Sequence, residues 1–332
     1  MKLSALVDQD DFVLLAPGFR PDSSKWTLLR QAKLSSGDGA QPCVWLGRYE
    51  TRGRDAMCLS GSLEEIDLDF DVEPTSLVWS LDETAFADQV ERIRDAISAG
   101  DVYQVNLTRS AWVECASGAR FLSALCRRGV PRFAAWFRLR GVWEVVSASP
   151  EMLFELEGQR LRAEPMKGTA PAGQRAWLEA STKDEAELAM ITDLLRDDLN
   201  HLCMPRSVQV LSARRYLELP YVVQAVSEVE GTLQQKISVR EVLDQLHPGG
   251  SITGAPREAA RTMITSLEQT PRDFYCGFLG FQSATHLRTA LLIRTAQRTN
   301  GDQWRYGVGG GITWDSDASA ELNEVRLKLG AL

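Results

Sequence analysis

Apolar side chains along this chain recur with two different periods, which predicts a protein built from both helices and strands. From Asp82 to Gly100 the apolar residues fall on one stripe of a helix, and Gly100 supplies a C-terminal stop. The same helical period returns in four further segments: 182–202, 238–246, 258–268 and 320–329.

Runs rich in β-branched and aromatic residues predict strands, and these runs come in hairpin-like clusters rather than in strict alternation with helices. They lie at 102–114, 133–140, 142–150, 153–166, 208–219, 274–281, 289–296 and 304–314. This order favours an α+β protein with antiparallel sheets. In the first of these runs Gln104, Asn106 and Thr108 share one face, and a polar face of this kind usually points to solvent.

Composition narrows the classes of function. The 332 residues carry a formal net charge of −8, which disfavours nucleic acid as a partner, although a local site can still bind a small anion. The six cysteines form no CxxC pair, and we expect free thiols in a reducing compartment. No apolar run is long enough to span a bilayer, and an early acidic run argues against a signal peptide. We therefore expect a cytoplasmic protein that does not bind a membrane.

Two helices carry carboxylates in unusual positions. Glu187 lies beside the apolar stripe of the helix at 182–202, where an unpaired charge is costly. Glu321, Glu324 and Lys328 share one face of the last helix. Carboxylates from two helices would suit Mg²⁺, which takes few protein ligands and keeps several waters. A salt bridge at Glu187 and a solvated charged face on the last helix are the ordinary alternatives.

Glycine-rich turns and one lysine complete the candidate chemistry. The segments at 249–257 and 307–311 could cradle a small anion with backbone N–H groups, or could be plain turns. Neither segment matches a P-loop or a dinucleotide-binding pattern. Lys167 stands between Met166 and Gly168 at a strand end, where a lysine is usually exposed. Partial desolvation would lower the pKa of such an amine and make it a nucleophile.

Taken together, these segments resemble the chorismate-utilising enzymes over about 80–332. The motifs that carry the resemblance are YQVNLT (103–108), SPEMLF (149–154), PMKGT (165–169), KDEAELAMITDLLRDDL (183–199), PGGSITGAP (248–256), IRT (293–295), GGGI (309–312) and ELNEVRLK (321–328). The resemblance implies two large facing antiparallel sheets with helices packed outside. It also implies a catalytic core over 76–332, with a shortened N-terminal region over 1–75 packed on that core.

The residues at two positions distinguish the reactions that members of this family catalyse. Members that add water carry a lysine base where this chain has Gln104, so the resemblance implies ammonia as the nucleophile. Anthranilate synthases carry alanine in the motif at 165–169, whereas aminodeoxychorismate synthases carry lysine, as this chain does at Lys167. The chain therefore resembles aminodeoxychorismate synthase component I.

The resemblance also implies a role for each candidate residue. Lys167 would attack the ring of chorismate, and Glu151 would be the general acid that helps the 4-hydroxyl leave. Mg²⁺ would be bound by Glu187 and Glu324, with Asp184 and Glu321 acting through water. The two substrate carboxylates and the ring would be held by Gln104, Thr169, Gln224, Gly254, Tyr275, Arg294, Gly309, Gly311 and Lys328. Ammonia would come from a separate glutaminase subunit, because no glutaminase motif is visible in this chain.

The chain departs from the family pattern at Gln224, which replaces a histidine near the ring hydroxyl. A glutamine can hydrogen-bond but cannot carry a proton at neutral pH. Two alternatives therefore stay open. The first is an anthranilate synthase component I, and the second is a chorismate-binding protein without catalytic activity.

Overall fold

The computed structural model describes residues 1–9, 11–35, 42–74, 76–219, 222–299 and 303–330. Within these residues eighteen strands form one continuous hydrogen-bonded network, in which every strand pair is antiparallel. The strands are β1 (Phe12–Leu15), β2 (Trp26–Ser35), β3 (Cys43–Gly47), β4 (Met57–Ile66), β5 (Ser80–Leu81), β6 (Gln104–Glu114), β7 (Phe133–Leu139), β8 (Trp143–Ser149), β9 (Met152–Glu157), β10 (Arg160–Glu164), β11 (Met166–Pro171), β12 (Gln209–Glu218), β13 (Val222–Thr232), β14 (Gly254–Ala255), β15 (Phe278–Gln282), β16 (His286–Leu291), β17 (Thr295–Arg298) and β18 (Gln303–Ile312).

Helices in the described residues flank the strands. They are α1 (Phe86–Ala99), α2 (Gly118–Cys126), α3 (Arg175–Ala180), α4 (Thr182–Leu202), α5 (Val239–Leu246), α6 (Gly250–Thr253), α7 (Arg257–Leu267) and α8 (Ala318–Gly330). The helix predicted over 182–202 matches α4 at both ends. The run predicted as one strand at 153–166 is instead the hairpin of β9 and β10, which turns at Gly158 with a φ of 59°.

The strand network has two arms. One arm runs β6–β18–β17–β8–β7–β1, with β5 and β14 added beside β6. The other runs β2–β4–β3–β15–β16–β9–β10–β13, and β13 also pairs with β11 and β12. The pairing of β1 with β2 joins the arms. The two predicted sheets are thus continuous with each other at that junction.

Side-chain alternation explains why the arms face each other. Val13 on β1 and Phe137 on β7 belong to the same buried cluster as Val44 and Leu279 of the other arm. Their neighbours point the other way, and Trp136 packs in the cluster beneath α2. Because successive strand residues point to opposite faces, each arm buries one face against its partner arm and one beneath helices. The prediction of an α+β fold with facing antiparallel sheets and outer helices is confirmed.

Strands from both sides of residue 75 take part in this network. β1 pairs with β7, and β3 pairs with β15, so β1–β4 lie within the sheet rather than on top of it. The division of the chain into 1–75 and 76–332 stays a prediction. None of the described helices is long and apolar enough to cross a bilayer.

Candidate active site

The predicted substrate residues on β6 and β18 lie in direct contact. Gln104 is fully buried, and a Cβ at position 311 would collide with its side-chain amide, so Gly311 allows this close approach. Asn106 and Thr108, on the same face as Gln104, are less than one tenth exposed. This polar face is therefore buried, contrary to the usual meaning of such alternation. Neither the oxygen nor the nitrogen of the Gln104 amide has a hydrogen-bond partner in the structure.

The glycine-rich turn at 249–256 connects Gln104 to the predicted general acid. Gly254 has a φ of 134° and lies so close to the Gln104 carbonyl that a Cβ would collide with it. Three residues earlier, Ser251 donates a hydrogen bond from Oγ to Oε1 of Glu151 at 3.0 Å. The turn therefore links β6 to the segment between β8 and β9.

Glu151 has the environment of a proton donor. Its side chain is 6% exposed, and burial raises the pKa of its carboxyl to about 7. The hydrogen bond from Ser251, the charge of Lys167 and a backbone hydrogen bond from Met166 oppose that rise without cancelling it. A carboxylic acid with a pKa near neutrality can both hold and release a proton at working pH.

This raised pKa predicts a pH-dependent stability. The unfolded chain loses the Glu151 proton near pH 4.5, whereas the folded protein keeps it up to about pH 7. Stability therefore falls as pH rises through this window, and Glu151→Gln should abolish that component. We expect the free energy of unfolding of the wild type to fall by about 3 kcal/mol, relative to the variant, between pH 4.5 and 8. Urea denaturation at both pH values measures the difference.

The matched control for this prediction is Glu218→Gln, since the Glu218 side chain is 64% exposed. Its stability should follow the wild type at both pH values. If the Glu151 variant also follows the wild type, the buried carboxyl is not protonated at neutral pH.

Lys167 lies on β11, near the carboxylates of three other segments of the chain. Its Nζ is 3.6 Å from Oε2 of Glu187, and its side chain is only 13% exposed. Its charge also influences the carboxyls of Glu151 and Glu324. The lysine is thus largely enclosed, unlike the exposed strand-end lysine that is most common at such positions.

The face of α8 predicted from its spacing points at the glycines of β18. Lys328 donates from Nζ to the carbonyl oxygen of Gly309 at 2.7 Å and lies 2.8 Å from Oε1 of Glu324. A Cβ at Gly310 would lie 3.6 Å from Oε2 of Glu321 and 3.9 Å from Oε1 of Glu324. The α8 carboxylates therefore border the glycine run directly.

The pKa values of the two α8 carboxyls, Glu321 and Glu324, are shifted in opposite directions. Burial raises the pKa of Glu321, and repulsion from Glu324 adds to that rise, against the hydrogen bond from Ser316 and the charge of Lys183. Partial burial also opposes ionisation of Glu324, but Lys328, with help from Lys183 and Lys167, lowers its pKa. This cluster of negative charge is balanced by lysines on three elements, β11, α4 and α8.

Carboxylates on α4 and α8 are the donors that this region offers to a divalent cation. No group of three or more His, Cys, Asp and Glu side chains is arranged around one metal-sized point among the described residues. Glu187 and Glu324 are nonetheless each paired with an ammonium group, and the mutual repulsion of Glu321 and Glu324 favours an added positive charge. Because Mg²⁺ keeps several waters, two carboxylates are enough to hold it. The carboxylates of Glu187 and Glu324, which both adjoin Lys167, supply donors of the kind that Mg²⁺ prefers, and Mg²⁺ stays a prediction.

These residues form a closed ring of neighbours. From Gln104 the path runs through Gly311 and Gly309 to Lys328 and Glu324. The charge of Lys167 acts on the carboxyls of both Glu324 and Glu151. Ser251, which hydrogen-bonds to Glu151, and Gly254, which lies against Gln104, complete the ring. Residues from six separate segments of the chain therefore surround one region.

Thr169 and Gln224 extend this region along β11 and β13. They are register partners in the sheet, two residues beyond Lys167. Thr169 is exposed, whereas Gln224 is 3% exposed and its Oε1 has no hydrogen-bond partner within the described part of the chain. On the α4 side, Asp184 packs against Gly168, whose φ of 81° admits little but glycine.

Tyr275 and Arg294 lie further along β18. The ring of Tyr275 packs against Gly307, where a Cβ would collide with it, and burial raises the pKa of its hydroxyl. Arg294 has a φ of 51° and lies near enough to Tyr306 for its charge to oppose the burial-driven rise in the pKa of that phenol. Both predicted carboxylate-binding residues are therefore next to the same strand as Gly309 and Gly311.

Sequence reasoning did not single out two residues that contact this site. Ser251 hydrogen-bonds to Glu151, and its place in the glycine-rich turn was the only signal for it. Lys183 lies 3.9 Å from Glu321, and only its place in the same motif as Asp184 and Glu187 pointed to it.

Known proteins resemble this chain over most of its length. The model of a family described as chorismate binding enzyme matches residues 37–332, which begins earlier than the resemblance read from the motifs. An anthranilate synthase component 1 of Haloarcula marismortui is 34% identical over 260 residues, which cover 75% of this chain and 51% of the relative. An aminodeoxychorismate synthase component 1 of Salmonella typhimurium is 34% identical over 250 residues, covering 72% and 54%.

This chain spans about half the length of these two curated relatives. Their equal identity does not separate the two named reactions. Among solved structures, the menaquinone-specific isochorismate synthase of Escherichia coli superposes with a TM-score of 0.82 at 19% identity, covering 99% of this chain and 90% of the other. That likeness shows a shared fold.

Proposed function

This chain belongs to the family of chorismate-binding enzymes, and we propose that it converts chorismate and ammonia into 4-amino-4-deoxychorismate. The observation that carries the proposal is the position of Lys167. It is a largely enclosed amine, ion-paired with Glu187 and within electrostatic reach of the buried acid Glu151. A nucleophile beside a proton donor is the arrangement that a two-step displacement requires.

In the proposed reaction Lys167 first loses its proton to solvent, and the free amine then attacks C2 of the ring. Both ring double bonds shift, and the bond between C4 and its hydroxyl breaks. Protonated Glu151 gives its proton to that hydroxyl, which leaves as water. Ammonia then adds at C4, both double bonds shift back, and the bond between C2 and Lys167 breaks. The added nitrogen returns one proton to Glu151. Splitting one difficult substitution into two displacements is the benefit of the covalent route.

Buried amides support the binding part of the proposal. Gln104 and Gln224 together leave three polar atoms without hydrogen-bond partners. An unpaired buried polar atom costs about 1–3 kcal/mol, so a bound molecule that satisfies these atoms is stabilised there. A glutamine at position 104 offers hydrogen bonds but no base to activate water.

Mg²⁺ would be held by Glu187 and Glu324, with Asp184 and Glu321 acting through water. When bound, it would cancel part of the charge of the ring carboxylate. We expect Glu187→Gln to raise the Mg²⁺ concentration for half-maximal activity by about 10–100-fold, because one charged ligand is lost. Titration of activity with MgCl₂ measures this shift.

Glu185→Gln is the control on the same helix, because the Glu185 side chain is 63% exposed and faces Arg214. Its Mg²⁺ dependence should equal that of the wild type. An unchanged Mg²⁺ requirement in the Glu187 variant would remove this residue from the metal site.

The ammonia source proposed here is a separate glutaminase subunit, as the component 1 names of the relatives suggest. We also propose a cytoplasmic location, which fits the six cysteines, all of them buried and none in a disulfide.

Product analysis tests the proposal. Chorismate, ammonium and MgCl₂ are incubated with the protein, with and without an aminodeoxychorismate lyase, and the products are separated by chromatography. Formation of para-aminobenzoate only when the lyase is present is the expected result. Direct formation of fluorescent anthranilate would identify an anthranilate synthase, and bound but unconverted chorismate would identify a non-catalytic binding protein.

A further inference from the structure

A buried ion pair lies beside the site without belonging to the predicted residues. Arg272 is 3% exposed and the Glu268 side chain 8% exposed. The guanidinium binds the carboxylate in bidentate fashion, with Nε 2.8 Å from Oε2 and Nη2 2.7 Å from Oε1. Such pairs are geometrically specific, and a buried pair loses most of its value when one partner is removed.

The pair sits beside a stretch of β6 that has no neighbouring strand among the described residues. One edge of β6 is paired with β18 along almost its whole length. On the other edge β14 reaches only Gln104 and Val105, and β5 reaches only Ala111 and Trp112. The backbone groups between these two short strands would otherwise lack partners in a buried place, which is costly.

Arg272 and Glu268 supply the missing hydrogen bonds. Arg272 donates from Nη2 to the carbonyl oxygen of Asn106 at 2.7 Å, and Glu268 accepts from the amide of Thr108 at 2.9 Å. The carboxylate also accepts from the hydroxyl of Thr108 at 2.9 Å. One donor and one acceptor thus occupy the places that a strand would fill. A cleft that is open to solvent borders the pair, and Thr108, Glu268 and Arg272 line it.

The guanidinium of Arg272 reaches one other site segment, and the backbone of Arg272 reaches a second. Its Nη1 donates to the carbonyl oxygen of Ile252 at 2.7 Å, next to Ser251, which holds Glu151. Its own carbonyl accepts from the amide of Tyr275 at 3.2 Å, in a loop where Asp273 and Cys276 both have positive φ. The side chain of Arg272 therefore ties the strand of Gln104 to the turn of Ser251, and the backbone of Arg272 ties both to the loop of Tyr275.

We infer that the Glu268–Arg272 pair is a positioning device that stands in for a missing strand and sets Glu151, Gln104 and Tyr275 relative to one another. Neither residue is assigned to the reacting atoms. The kinetic consequence rests on the proposed function, whereas the structural consequence does not.

The variant that tests this inference is Glu268→Gln, which keeps the shape of the carboxylate and removes its charge. The matched control is Glu144→Gln. Glu144 is 5% exposed and is bonded to Arg298 and Trp136 outside the site. Both variants lose a buried charge of the same kind, so a merely structural role predicts equal effects on activity.

Kinetics with chorismate consumption as the readout form the first arm, because consumption does not depend on which product forms. We expect Glu268→Gln to lower kcat by about 100-fold, since small displacements of catalytic groups have effects of this size. The hydrogen bond from Ser251 lowers the pKa of Glu151, and this bond should weaken in the variant. The fall in activity with rising pH should therefore occur at a higher pH than in the wild type. Glu144→Gln should change neither. Equal losses in the two variants, with unmoved pH profiles, would overturn the inference.

Hydrogen–deuterium exchange, read by mass spectrometry, forms the second arm and needs no activity. Glu268→Gln should speed exchange in 104–110 and 249–256 by about tenfold or more, and Glu144→Gln should leave both segments protected. Unchanged protection in the Glu268 variant contradicts the positioning role even if activity falls. If the wild type consumes no chorismate, the proposed function fails, and exchange alone decides the inference.

Discussion

Lys167→Met is expected to abolish turnover, with a loss on the order of 10⁴ in kcat, because the variant lacks the group that forms the covalent intermediate. The enclosed position of Lys167 beside Glu187 also gives this residue a charge-pairing role. Removing the lysine therefore leaves a carboxylate without its partner, and the methionine variant alone cannot separate the two roles.

Lys167→Arg separates them. Arginine keeps the positive charge beside Glu187, but its guanidinium stays protonated and is not a nucleophile. If Lys167 is the nucleophile, the arginine variant should be as inactive as the methionine variant. Activity within about tenfold of the wild type in Lys167→Arg would show that only the charge matters.

Intact-mass spectrometry adds direct evidence for the covalent step. Wild type with chorismate and Mg²⁺, but without ammonia, should accumulate an adduct that neither Lys167 variant forms. Lys25→Met is the control, since Lys25 forms an ion pair of 3.1 Å with Asp67 on a half-exposed surface. It should form the adduct and turn over like the wild type. An adduct that survives in Lys167→Met would place the nucleophile elsewhere.

Glu151→Gln is expected to have the second largest effect, a fall in kcat of about 10²–10⁴-fold, which is the usual contribution of a general acid. Glutamine preserves the shape of the side chain and can still accept the hydrogen bond from Ser251. The loss would therefore report the missing proton rather than a collapsed pocket.

The pH profile makes this prediction specific. Glu151 must be protonated to act as an acid, and burial raises the pKa of its carboxyl to about 7. Activity of the wild type should accordingly decline as pH rises through about 7, and this decline should be absent from the residual activity of Glu151→Gln. A profile with the same decline in the variant would assign that limb to another group.

Glu151→Gln and Lys167→Met should also change the stability of the protein in opposite directions. Glu151→Gln should gain stability at pH 8 while losing activity, because the buried carboxyl opposes folding once it is ionised. Such an opposition between stability and activity is typical of groups held in place for chemistry. Lys167→Met should be destabilised instead, since it leaves Glu187 without its ion-pair partner.

Local sequence patterns locate many of the elements and supply the list of candidate residues, but they do not separate the β9–β10 hairpin or predict α2 and α3. The helix over 182–202 and the strand that carries YQVNLT are where periodicity and motif order place them, whereas the predicted glycine-rich turn forms α6 and β14. These features are local, because the hydrogen bonds of a helix and the alternation of a strand depend on residues a few positions apart. The α+β class followed from the order of those elements.

Which candidate residues contact one another, and how deeply each is buried, depends on the folded arrangement of the whole chain. Glu151 is held by Ser251, which is 100 positions away, and Lys167 is paired with a helix that begins fifteen positions later. The polar face of β6 is buried, and the Glu268–Arg272 pair completes an edge of that strand. Burial and long-range pairing depend on which surfaces meet when the two arms close, and no local pattern of side chains contains that information.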